Sequence, residues 1–212
     1  MSRLRLLLLS IMAVLAVGAV ASSSALAAPH WVIEGKTVEA SVNVLALISG
    51  PAVLHGLIGK VGFELTCTAA HASGTILESK RDAAPNGIPF AGCTVNHPSG
   101  CVVKEPISTV ALSSVLLEEE VKNGYDTWTP TKGEQFAEIV VSGTACSVEG
   151  KYAISGKLQC EGEFVEAVDY SCLFNSSSKS ELKFGTNAAD FLAHFLFLLK
   201  GANAGKKWGV AK

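Results

Sequence analysis

Apolar and polar residues alternate along most of this chain with the two-residue period of half-buried β-strands. From Thr37 to Ile48 the apolar positions are Val38, Ala40, Val42, Val44 and Ala46; from Val61 to Thr68 they are Val61, Phe63, Leu65 and Cys67. The stretches Ile107–Leu117 and Ile139–Ser142 are rich in β-branched residues, and Tyr152–Gln159 reads as another strand. Turn chemistry separates them, at Ser49-Gly50-Pro51, Ala84-Pro85-Asn86-Gly87, Pro98-Ser99-Gly100, Asn123-Gly124, Lys132-Gly133 and Glu149-Gly150. Short strands punctuated this often predict an all-β fold, an antiparallel β-sandwich or a partly closed barrel. Phe191–Leu199 is apolar apart from His194, and periodicity alone leaves it open to strand or helix.

The amino terminus follows a different pattern. Arg3 and Arg5 precede an apolar run from Leu6 to Val20, and Ala25-Leu26-Ala27 then supplies small residues at the −3 and −1 positions. That is the layout of a cleaved export signal, with the cut after Ala27 because Pro29 disfavours one after Ala28. The apolar run is shorter than the roughly 20 residues of a spanning helix, so no transmembrane anchor is expected after cleavage. Residues 28–212 then form a single secreted β-rich domain, extracellular or associated with the cell wall.

Without Arg3 and Arg5 the chain keeps 15 basic against 19 acidic residues, a net charge of −4. This mild acidity argues against nucleic acid as a partner. Six cysteines follow the signal, Cys67, Cys93, Cys101, Cys146, Cys160 and Cys172, and none of them is spaced as C-x₂-C. An even count in an exported chain reads as three disulfides rather than a metal site. Cys93 and Cys101 flank the turn-rich Thr94–Gly100 and Cys160 and Cys172 flank a short excursion, which gives Cys93–Cys101, Cys160–Cys172 and, as the remainder, Cys67–Cys146.

Several short landmarks recur in a familiar order: Pro29-His30-Trp31 with Gly35, Leu65-Thr66-Cys67, Gly74-Thr75-Ile76, Phe90-Ala91-Gly92-Cys93 and then Cys101. They continue with Gly143 to Cys146, Gly150-Lys151-Tyr152 and Gly156, Leu182-Lys183-Phe184-Gly185, and Trp208-Gly209. In these the chain resembles a paralogue-rich set of secreted proteins from soil-dwelling high-GC Gram-positive bacteria, a set without an established activity. The resemblance implies an exported β-rich domain, implies nothing about catalysis, and favours a strand over Phe191–Leu199.

No G-x-S-x-G, H-E-x-x-H, phosphate-binding or dinucleotide-binding loop is present, so no catalytic residue, metal ligand or cofactor is assigned from motifs. Ser176 and Lys179 match S-x-x-K inside a serine run, Asn175-Ser176-Ser177 matches a glycosylation sequon, and Glu118-Glu119-Glu120 reads as the solvated end of a strand. The five histidines, His30, His55, His71, His97 and His194, are scattered, although a triad is assembled in space. Lys122–Pro130 reads as a loop that carries Tyr125, Asp126 and Trp128. Rings beside hydrogen-bonding groups suit a sugar, so these three are the candidate ligand-binding residues; the competing expectation is that Tyr125 and Trp128 pack on the domain. The combined expectation is a non-enzymatic binding or structural protein, with a cell-wall or extracellular polysaccharide as the partner. The alternative is an extracellular hydrolase whose site comes from distant residues.

Overall fold

The computed structural model describes residues 28–78, 80–118, 123–163, 165–174 and 180–212. The export signal, Glu119–Lys122 and the 175–179 segment with its serine run lie outside them. The strands, in chain order, begin with β1 (His30–Ile33), β2 (Lys36–Thr37), β3 (Val42–Ile48), β4 (Ala52–Ile58), β5 (Val61–Glu78) and β6 (Arg81–Ala84). There follow β7 (Pro89–His97), β8 (Val102–Val103), β9 (Ile107–Ser108), β10 (Leu112–Glu118), β11 (Asn123–Pro130), β12 (Gln135–Ser142) and β13 (Gly150–Ser155). The last are β14 (Leu158–Glu163), β15 (Glu166–Ala167), β16 (Asp169–Phe174), β17 (Leu182–Phe184), β18 (Asn187–Leu199) and β19 (Trp208–Ala211). All pairings among the described residues are antiparallel, and a 3₁₀ turn at Gly201–Asn203 is the one helical element there.

Two long strands organise the molecule. The first part of β5 pairs with β4 and β7, its second part with β3 and β6; β18 divides in the same way between β4 and β17, then β16 and β3. The sheet therefore curves into two lobes that share β5 and β18. One lobe runs β5-β6-β10-β11-β14-β16-β18-β3. Its circuit is thin at β14–β16, where Glu161↔Leu173 is the one paired position among the described residues, so the lobe is partly closed rather than a closed barrel. The other lobe carries β4, β7, β9, β12, β13 and β17, with β8 on the β12 edge. A separate four-stranded sheet, β15-β19-β1-β2, caps the first lobe. From it Trp31 and Trp208, both 1% exposed, meet Tyr170 at ring-centroid distances of 5.1 and 5.3 Å.

Phe191–Leu199 lies within β18 and is a strand. It is apolar on both faces for different reasons: Ala193, Phe195 and Leu199 point into the core, while Leu196 and Leu198 lie half-buried on the outer face. The run Tyr152–Gln159 is not one strand. Gly156, at φ 112°, breaks it, and a Cβ there would fall 2.0 Å from the Glu181 carbonyl oxygen.

All six cysteines are bonded, but two of the three expected pairs are exchanged. Cys160–Cys172 is present; the others are Cys67–Cys93 and Cys101–Cys146, not Cys93–Cys101 and Cys67–Cys146. Ladder register explains the exchange. Cys67 on β5 lies directly opposite Cys93 on β7, which is the cross-strand arrangement that brings Cβ atoms together. After the Pro98-Ser99-Gly100 turn the chain does not return to β7. It enters β8, which pairs with the end of β12, and this brings Cys101 to the turn that holds Cys146.

Candidate functional site

The segment read as a sugar-binding loop is part of a strand. Asn123–Pro130 is β11, paired along its length with β10 and β14; Lys122 lies outside the described residues. Tyr-Asp-Thr-Trp-Thr alternates like any half-buried strand, so Asp126 and Trp128 point to the same, inner face while Tyr125 sits half-buried on the other. Trp128 is 5% exposed and stacks on Phe197 at 6.5 Å and 11°. Neither it nor Asp126, at 3% exposure, offers a surface to a polysaccharide, and the packed arrangement is the one found.

Asp126 belongs to a buried acidic cluster instead. Ser114 on β10 faces Asp82 on β6 on one side and Trp128 on β11 on the other, with Asp126 two residues further along. Burial, then the charge of Asp126, pushes the Asp82 carboxyl well above the usual range, and Ser114 offsets part of this. Burial raises Asp126 to about 7, against hydrogen bonding from Ser114 and Trp128 that lowers it. These contacts are poorly aligned: Asp82 Oδ1, Asp126 Oδ1, Ser114 Oγ and Trp128 Nε1 close no hydrogen bond of good geometry. Perturbed carboxylates often mark catalysis, but this pair lies inside the lobe. Beside Asp82 lies a void of about 20 Å³, lined by Trp31, Tyr170 and Trp208 among others. An Asp126 carboxylate oxygen also lies within 4.8 Å of the Cys160 and Cys172 sulfurs. Those sulfurs are bonded to each other and carry no thiolate for a metal.

Two further concavities differ in kind. A void of about 80 Å³ between the lobes is lined by Leu54, Leu65, Phe90, Phe174 and Phe195, among other apolar side chains. It is about half the roughly 150 Å³ that accommodates benzene in an apolar core. The other is a groove of about 550 Å³ on the outer surface, at the β14–β16 seam. It exists because β15 leaves the lobe to pair with β19, so that beyond Glu161↔Leu173 nothing described pairs with β16 on its β14 side.

Strand alternation supplies the groove's chemistry. Tyr170, Cys172 and Phe174 face the core from β16, which turns Asp169, Ser171 and Leu173 outward. On β18, His194 lies opposite Leu173 and diagonal to Ser171, and Ser171 Oγ meets His194 Nε2 at 2.5 Å. Glu161 faces Leu173 from β14. A hydroxyl, an imidazole and two carboxylates thus share a solvent-open groove whose apolar wall is Val165, 51% exposed, and Leu173, 43% exposed. The Cys160–Cys172 disulfide crosses the same seam on the inner face.

None of these groove residues was assigned from the sequence. His194 was one of five scattered histidines, and its partner lies 23 residues away on a strand that only the fold brings alongside. Of the others, His55 lies 3.5 Å from Glu64 and His30 contacts the Ala28 carbonyl. The acidic run beyond Glu118 and the Ser176–Lys179 match fall outside the described residues.

The chain is similar to the probable endopolygalacturonase A of Neosartorya fischeri and to that of Aspergillus fumigatus, each 28% identical over 156 residues. The match takes in 65% of this chain and 41% of either relative, so the chain spans less than half the length of the curated relatives it matches. No family model matches the chain, and no solved structure does.

Proposed function

We propose that this protein is an extracellular hydrolase that acts on a polysaccharide, and that the groove at the β14–β16 seam is its site. The observation that carries this reading is the Ser171–His194 contact in an open groove flanked by Glu161 and Asp169. An imidazole nitrogen held against a hydroxyl is placed to take a proton from that hydroxyl or from a water. The two carboxylates suit the hydroxyls of a sugar chain, and a surface groove admits a polymer that an enclosed cavity would exclude. The endopolygalacturonase relatives support a polysaccharide substrate. The three disulfides, the export signal read from the sequence and the resemblance to secreted bacterial proteins support an extracellular setting. Among the described residues no helix is long and apolar enough to cross a membrane.

A second reading, a binder without turnover, draws on the apolar residues at the groove: Val165 and Leu173 are 51 and 43% exposed. Turnover separates the two. The mature protein is incubated with free and methyl-esterified polygalacturonate, and reducing ends, alcohol and acid are each measured. Release of any of these supports the hydrolase. Retention on the polymer with no product favours the binder, and neither turnover nor retention removes both readings.

A further inference from the structure

Charge and hydrogen bonding in the groove narrow the bond that is cut. Among the described residues that line it, the charged side chains beside His194 are acidic, Glu161 and Asp169. Free uronate carboxylates would meet like charge there, whereas an ester is neutral. Esters are also the substrates on which a serine hydroxyl paired with an imidazole acts. We propose, building on the polysaccharide-hydrolase reading, that the groove hydrolyses carboxylic esters carried by a polysaccharide, with Ser171 as nucleophile and His194 as its base.

The parts are in position. With the His194 proton on Nδ1, Nε2 accepts from the Ser171 hydroxyl at 2.5 Å, within the range of a nucleophile–base pair. Among the described residues, β16 has no ladder partner on its β14 side apart from Leu173, and an open strand edge carries peptide N–H groups of the kind that serve an oxyanion. Leu173 and Val165 offer an apolar wall to the alkyl or acyl portion.

The steps balance without a redox partner. Ser171 Oγ bonds to the ester carbonyl carbon as its proton passes to Nε2. The carbon–oxygen bond to the alcohol breaks, and the alcohol leaves with that proton. A water then gives a proton to Nε2 and attacks the acyl carbon; the Ser171 oxygen departs and recovers the proton. One ester and one water become one acid and one alcohol. Two sources of ester share this chemistry, an alkyl ester on a uronate carboxyl and an acyl ester on a sugar hydroxyl. In the first case the product carboxylate stays on the polymer, and the acidic groove expels it.

The test offers the mature protein three polymers: methyl-esterified polygalacturonate, O-acetylated xylan and de-esterified polygalacturonate. Methanol release marks the first ester and acetate release the second, and the de-esterified polymer should yield neither. Ser171→Ala and His194→Gln should each lower ester hydrolysis at least a hundredfold. Diethyl p-nitrophenyl phosphate should add one phosphoryl group at Ser171 of the native protein and none after denaturation. The label decides the matter even where Ser171→Ala does not fold. Glycosidic cleavage alone, at an unchanged rate in Ser171→Ala, would overturn the ester assignment and leave the hydrolase reading in place. Absence of product from all three polymers, with no label at Ser171, would overturn both.

Discussion

A carboxyl group buried without a cation beside it binds its proton more tightly in the folded chain than in the unfolded one, and this sets the sign of its effect on stability. Asp126 holds its proton to about pH 7 when folded, against a usual value of 3.8, because burial penalises the charge. Asp82 shifts in the same direction, with the neighbouring Asp126 charge adding to burial. Around the pair stand Ser114 on β10, Trp128 on β11 and Tyr170 on β16, whose phenol is itself held neutral by burial and by the two carboxylates. Between about pH 4 and 7 the unfolded chain has released protons that the folded chain retains, so stability falls as pH rises through this window. For one such acid the slope is about 1 kcal/mol per pH unit. The expected result is a higher Tm at pH 5 than at pH 8, with a shallower slope in Asp126→Asn. A Tm that rises over the same range would contradict the account of this cluster.

Among the elements, the β14–β16 seam is the weakest join of the first lobe. With one ladder pair across it, the Cys160–Cys172 bond on the inner face holds the two strands under the groove. On the chain-entropy model its loss costs about 3 kcal/mol. The double variant Cys160→Ala/Cys172→Ala should show that loss in denaturant unfolding, and groove activity per folded molecule should fall with it. A variant of unchanged stability would mean that the ladder alone holds the seam. The same element shows what the sequence could and could not reveal. In Asp169–Phe174 burial alternates throughout, but the residue types do so only over Asp-Tyr-Ser-Cys before Leu173 and Phe174 follow, a pattern too short to mark the strand. β11 also alternates, but Gly124 and Pro130 suggested a loop, which left open whether Trp128 projects or packs on the domain, as it does. Short separation pointed to Cys160–Cys172 correctly and to Cys93–Cys101 wrongly. Cys67–Cys93 was not legible, since its partners meet only after β6 has been inserted between β5 and β7.

On the scale of the whole molecule, the all-β, antiparallel, disulfide-linked character followed from alternation, turn residues and an even cysteine count. What the chain did not reveal locally is that β5 and β18 each pass through two lobes, because nothing in Val61–Glu78 or Asn187–Leu199 marks where a strand changes neighbours. The groove depends on that arrangement: β18 carries His194 to β16, and β15 departs to the capping sheet and opens the space beside them. If polysaccharide is processed at the seam, as proposed, filling the groove should stop it. Leu173 lies between Glu161 and His194 and is 43% exposed, so a long charged side chain there fills the groove without disturbing the core. Val102, 59% exposed on β8, is the control. The decisive measurement is the rate of product release from methyl-esterified polygalacturonate by Leu173→Arg and Val102→Arg, each at matched Tm. The account predicts at least a tenfold loss for Leu173→Arg and an unchanged rate for Val102→Arg; equal rates for the two variants would contradict it.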